Sequence, residues 1–173
     1  PKYKLVMEEN KKDYFRLYEN TQVLPRFFLA STLVGLPDRA AIARAIRMGE
    51  YDPGKVLLVQ QKDIPAGFAG DCGTQKLPAV TVVSYSMNTI TLETNAACSA
   101  ILATSEVLYP GWTATIEGKP ATIMEGNLAF RTMLIPKGKH TVIMTYRPTV
   151  FIMSFFVSIT TLLGCLIWMK KRV

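Results

Sequence analysis

The chain has 173 residues, 49% of them hydrophobic and 19% charged, and a formal net charge of +7. That length supplies one compact core, and the composition excludes a disordered or low-complexity chain. Residues 1–148 hold 17 basic and 13 acidic side chains, a balance of +4, with no basic stripe interleaved with aromatics, which argues against a nucleic-acid partner.

Between Tyr3 and Ala30 the segments YKLVMEE, YFRLYEN and LPRFFLAS are rich in aromatic and aliphatic residues and are separated by Asn, Lys or Pro, which predicts three strands. Tyr18-Glu19-Asn20-Thr21 ahead of Leu24-Pro25-Arg26 suits a strand end or an edge. From Leu36 to Tyr51 the period changes. Pro37 and Asp38 can start a helix, with Ile42, Ala45 and Ile46 on one face and Arg39, Arg44 and Arg47 largely off it, so a short amphipathic helix is expected. KVLLVQQ, Lys55 to Gln61, reads as another strand. DIPAGFAGDCGTQKLP then breaks regular structure at Gly67, Gly70 and Gly73, with neither Rossmann nor P-loop spacing.

Ala79 to Arg147 contains seven strand segments: AVTVVSYS, TITLETN, SAILATSEVL, GWTATIE, PATIME, LAFRTMLIP and HTVIMTYRP. Met87-Asn88, Glu117-Gly118, Glu125-Gly126-Asn127 and Pro136-Lys137-Gly138 punctuate them, which points to antiparallel hairpins in a β-sandwich. In LAFRTMLIP, Phe130, Thr132 and Leu134 alternate with Ala129, Arg131 and Met133, so one face can be buried.

Thr149 to Met169 runs 21 residues without a charge and is followed by Lys170, Lys171 and Arg172. At about 1.5 Å per residue that run crosses a hydrocarbon core of about 30 Å, and few core helices of small soluble domains need such a length. The basic tail favours a cytoplasmic C-terminus and residues 1–148 outside; a tail-anchored protein with its bulk in the cytosol is the competing topology. The start, PKYKLVMEENKK, has no apolar run of signal-peptide type, so the expected arrangement is the C-terminal piece of a longer polypeptide, with a cleaved signal peptide as the alternative. The reading is therefore mainly β: an extracytoplasmic sandwich-like domain over 1–148 with one short helix, a transmembrane helix over 149–169 and a cytoplasmic tail over 170–173, located at the plasma membrane.

Cys165 falls within the apolar helix, leaving Cys72 and Cys98 either as a disulfide or as two partly buried thiols. His140 is the single histidine, without ligand-spaced Cys, Asp or Glu around it, so no metal site is expected. No GxSxG elbow occurs, and nothing selects a pair among Glu93, Glu106, Glu117 and Glu125 for glycoside chemistry. No catalytic residue and no cofactor are assigned. Tyr109 and Trp112 flank Pro110-Gly111 at a turn, where a ring either anchors the core or stacks on a sugar. A binding module would take Tyr109, Trp112, Asn127 and Arg131 as its contacts.

Ser105-Glu106-Val107-Leu108-Tyr109-Pro110-Gly111-Trp112, Glu117-Gly118-Lys119, Asn127, Phe130-Arg131, Ile135-Pro136-Lys137-Gly138-Lys139-His140 and Tyr146-Arg147-Pro148 precede the apolar helix. This succession resembles the C-terminal end of the YfhO-type family of bacterial membrane proteins. Tyr18-Glu19-Asn20, Leu24-Pro25-Arg26 and Tyr51-Asp52-Pro53 are similar to that family as well, so the likeness spans nearly the whole chain. Glu117 stands where the family usually has aspartate before Gly-Lys. The resemblance implies a GT-C-type glycosyltransferase with many membrane helices and an acidic catalytic residue in an early outward loop, which these residues do not contain. It implies, further, transfer of a sugar from a lipid carrier to an envelope glycopolymer such as teichoic acid. The partners implied are the lipid bilayer, the preceding membrane helices, the lipid-linked sugar and the polymer. This chain would be the accessory end; the alternative is a non-catalytic, membrane-anchored module that binds a glycan or a protein.

Overall fold

The computed structural model describes residues 2–9, 14–65, 72 and 77–171. In chain order its elements are β1 (Tyr3–Glu9), β2 (Phe15–Asn20), β3 (Phe27–Ala30), β4 (Thr32–Leu36), α1 (Arg39–Met48), β5 (Val56–Gln60), β6 (Thr81–Tyr85), β7 (Thr89–Ala96), β8 (Ala100–Val107), β9 (Trp112–Ile116), β10 (Lys119–Ala121), β11 (Met124–Gly126), β12 (Phe130–Ile135), β13 (Gly138–Tyr146) and α2 (Thr149–Lys170). Gly67, Gly70 and Gly73, expected to interrupt regular structure, lie outside the described residues, as does Arg172 of the basic tail.

Two antiparallel sheets face each other. One has the order β10-β9-β13-β7-β6 and the other β11-β12-β8-β3. Period-two alternation turns Ile90, Leu92, Ala96, Ala114, Val142 and Met144 of the first sheet toward Phe27, Leu29, Ala100, Leu102, Met133 and Ile135 of the second, forming the main core. The mainly β, antiparallel sandwich read from the sequence is present. Its strand count differs in one place, because PATIME divides between β10 in one sheet and β11 in the other. Pro120 cannot donate to a ladder, and it sits in β10, the edge strand.

A third layer was not foreseen. β4 and β5 pair in parallel, Thr32 opposite Val56 through Leu36 opposite Gln60, with α1 as the connection that a parallel pair requires. This unit covers the outer side of the four-stranded sheet, where Ala30, Leu57, Ile101 and Ala103 pack together. The four-stranded sheet is thus buried on both sides, which is why β8 carries the continuous run Ala-Ile-Leu-Ala rather than an alternation. For the same reason β12 buries Arg131, Thr132, Met133 and Ile135 rather than a single face.

The helix α1 forms where its signals lie. The Asp38 carboxylate accepts the Ala41 N–H at 2.8 Å, and Gly49 closes the helix at φ 66°, a left-handed position that suits glycine. Ile42 and Ala45 are buried against Leu58, but Ile46, expected on the same face, is exposed because a two-stranded unit is too narrow to cover the whole stripe. The hairpin β1–β2 pairs Tyr3 with Asn20 and Glu9 with Phe15, and every described residue in it is exposed. After β13 only Arg147 and Pro148 precede α2, a helix long and apolar enough to cross a membrane, none of it buried by the rest of the chain.

Candidate ligand-binding site around Trp112

The turn Leu108–Gly111 joins β8 to β9 and brings the chain against the start of α2. Gly111 has φ 106°, and a Cβ there would lie 3.0 Å from the Tyr146 ring and 3.2 Å from the Pro148 Cα, so both backbone conformation and space demand glycine. The close approach lets the Arg147 N–H donate to the Gly111 carbonyl at 2.7 Å. The next residue, Trp112, pairs with Tyr146 across β9 and β13, and their ring centres are 5.4 Å apart. Tyr109 extends the aromatic series, 6.4 Å from the Tyr146 ring.

Arg131 shares its side of β12 with Met133 and points between the sheets, where its guanidinium lies 3.8 Å from the Trp112 ring centre. Its Nη2 donates to Glu106 Oε2 at 3.1 Å, whereas Nε and Nη1 are buried and make no hydrogen bond among the described residues. Burial lowers the Arg131 pKa from its ordinary value, and the Glu106 carboxylate opposes that shift. Glu106 Oε1 accepts from the Tyr85 hydroxyl at 3.0 Å and from Arg26 Nη1 at 3.2 Å, and that same Nη1 donates to the Tyr85 oxygen at 2.9 Å. Arg26, Tyr85, Glu106 and Arg131 therefore tie the two sheets together at one end of the sandwich.

Beside this network is a cavity of about 390 Å³, lined by Tyr85, Ser86, Met87, Ile90, Glu106 and Trp112. A second hollow of about 560 Å³ includes Tyr109, Trp112, Pro120 and Ile123 in its wall. Trp112 is common to both. The cavity offers the ring surfaces of Tyr85 and Trp112 next to the Glu106 carboxylate, a mixture that suits a polyhydroxylated ligand with apolar C–H faces, whereas Arg26 and Arg131 line neither hollow and Arg131, buried, acts through Glu106 and Trp112.

Of the four residues proposed as contacts, Trp112 and Arg131 touch, and Tyr109 joins them through Tyr146. Asn127 does not join them. Its Oδ1 accepts the Leu58 N–H at 3.0 Å and its own N–H donates to the Leu58 carbonyl at 2.8 Å, which fixes the β11–β12 turn onto β5. It lines a different cavity, of about 400 Å³, with Ile46, Tyr51 and Phe130. Arg26, Tyr85 and Tyr146 join the site as well; Arg26 and Tyr146 fall in family-like phrases that assign them no role, Tyr85 falls in none, and their partners are distant in sequence. The remaining strand carboxylates are engaged elsewhere: Glu93 lies 3.9 Å from Lys139, Glu117 accepts the Thr141 N–H, and Glu125 pairs with Arg39. Cys72 and Cys98 form a disulfide with Cα atoms 5.3 Å apart, at the turn between β7 and β8.

Sandwich, aromatic end and apolar helix together describe a β-rich domain carried next to a helix long and apolar enough to cross a membrane. Residues 73–158 match the family model described as bacterial membrane protein YfhO, a stretch that runs from ahead of β6, through the Tyr109–Trp112 turn and into α2. The chain belongs to the YfhO family of membrane proteins. Searches of curated proteins and of solved structures gave no match.

Proposed function

We propose that this chain is the extracytoplasmic C-terminal domain and last membrane helix of a polytopic YfhO-like glycosyltransferase, which uses a lipid-linked sugar to modify a cell-envelope polymer. The part played by these residues is accessory: the Trp112 cavity docks the carbohydrate acceptor near the membrane. The observation that carries this reading is the position of an aromatic cavity at the end of the sandwich from which the apolar helix leaves. The Cys72–Cys98 disulfide supports an oxidising, outer compartment, and the basic residues after α2 support a cytoplasmic C-terminus.

The experiment is removal of residues 1–148 from the full parent polypeptide with α2 retained. Glycosyl transfer should be abolished or redirected to another acceptor, and full transfer to the original polymer would refute the accessory role. The second reading is a non-catalytic module that binds a glycan or protein without any transferase. The engagement of Glu93, Glu106, Glu117 and Glu125 by partners of their own favours a binding rather than a catalytic role for this domain under either reading.

A further inference from the structure

We propose that the end of the sandwich facing α2 is a membrane-contact surface, with the turns Ser86–Asn88 and Leu108–Gly111 seated in the lipid headgroup layer. The proposal rests on α2 crossing the bilayer. Only Arg147 and Pro148 separate β13 from α2, and at about 3.3–3.6 Å per residue they reach about 7 Å. One headgroup layer is about 5–7 Å deep, taken as half the difference between the full bilayer and its hydrocarbon core. The last residues of β13 are therefore held at headgroup depth.

Both turns are bound to that same stretch. The Arg147 N–H donates to the Gly111 carbonyl at 2.7 Å, and the Tyr146 N–H donates to the Asn88 carbonyl at 2.9 Å. Neither turn can swing away from the bilayer without breaking backbone hydrogen bonds. What they present to it are Met87, 92% exposed, and Tyr109, 61% exposed, beside the exposed Pro110 and Arg147. An apolar side chain, an amphipathic ring and a long basic side chain are the residue types that settle at a lipid interface. At the opposite end of the sandwich the described turns, Glu117-Gly118, Pro136-Lys137 and Ala97-Cys98-Ser99, carry no large apolar side chain. Because Met87 also lines the Trp112 cavity, that cavity opens at the lipid surface and receives its ligand there.

The test uses the full chain, Cys165→Ser, carrying a single environment-sensitive fluorophore at Met87→Cys, Tyr109→Cys, Lys119→Cys or Leu162→Cys. It is reconstituted in phosphatidylcholine–phosphatidylglycerol vesicles with or without brominated acyl chains. Quenching at positions 87 and 109 should exceed that at 119 at least two-fold, with 162 quenched as well. Quenching at 162 alone, with 87 and 109 no different from 119, would overturn the contact surface while leaving the membrane span intact. No quenching at 162 would overturn the span, and the contact surface with it.

Discussion

The guanidinium of Arg131 stacks 3.8 Å from the centre of the Trp112 ring while its Nη2 holds Glu106 at 3.1 Å. One charged side chain, 2% exposed, is thereby stabilised by an aromatic ring from one sheet and a carboxylate from the other. Cation–π attraction and a salt bridge strengthen as water is excluded, and both are needed to offset the desolvation of a buried guanidinium.

Glu106→Gln leaves Arg131 buried without its counter-charge. The substitution is expected to destabilise the chain by about 3 kcal/mol, because breaking a buried pair from one side costs more than the pair itself contributes. Arg131→Met in the same background should recover most of that loss. Thermal unfolding of the parent chain, Glu106→Gln, Arg131→Met and the double variant in detergent micelles measures it; additive losses would contradict the coupling.

Trp112→Ala removes a ring packed on the main core, on Tyr146 and on Arg131. The expected cost is about 3 kcal/mol, at the lower end for a buried tryptophan because the ring is only partly buried. Trp112→Phe keeps an aromatic face for Arg131 and should cost less than half as much. Equal unfolding midpoints for the two variants would show that the ring is not what holds this end of the sandwich.

Only one of the three cysteines should react with maleimide in denaturant without reductant, and all three after reduction, because Cys72 and Cys98 are joined. Reduction should lower stability by about 3 kcal/mol, the scale for a cross-link closing a loop of this order. Three reactive thiols in protein isolated from its native membrane would contradict an oxidising location.

Asn127→Ala loses the hydrogen bond to the Leu58 N–H and places alanine at φ 48°, where a left-handed backbone disfavours it. A loss of about 2 kcal/mol is expected from the bond and the backbone together. Carbohydrate binding at Trp112 should be unchanged. A binding defect without a stability defect would return Asn127 to the ligand site.

The sandwich was legible because alternation in β7 and β13 records a face buried on one side, and α1 because Asp38 and Gly49 mark its ends. β4 was not legible. It follows β3 after Ser31 alone, without a turn signal, and its partner β5 lies beyond a helix. The layer that this pair adds also explains why β12, read as one-sided, buries both sides. Trp112 and Arg131 were legible as candidates by residue type and turn position. Nothing in the sequence distinguishes their partner Glu106 from Glu93, Glu117 and Glu125, because Arg26 and Arg131, which hold it, are 80 and 25 residues away. Such pairing depends on which strands become neighbours, and local sequence carries no trace of it.

Carbohydrate docking at Trp112 is tested most directly by titrating the full chain, in nanodiscs, with a teichoic-acid-type glycopolymer and comparing it with Trp112→Leu, whose unfolding midpoint is recorded alongside. The account predicts saturable binding by the unsubstituted chain and at least tenfold weaker binding by the folded variant. Equal affinity for the two, with the variant folded, would contradict it.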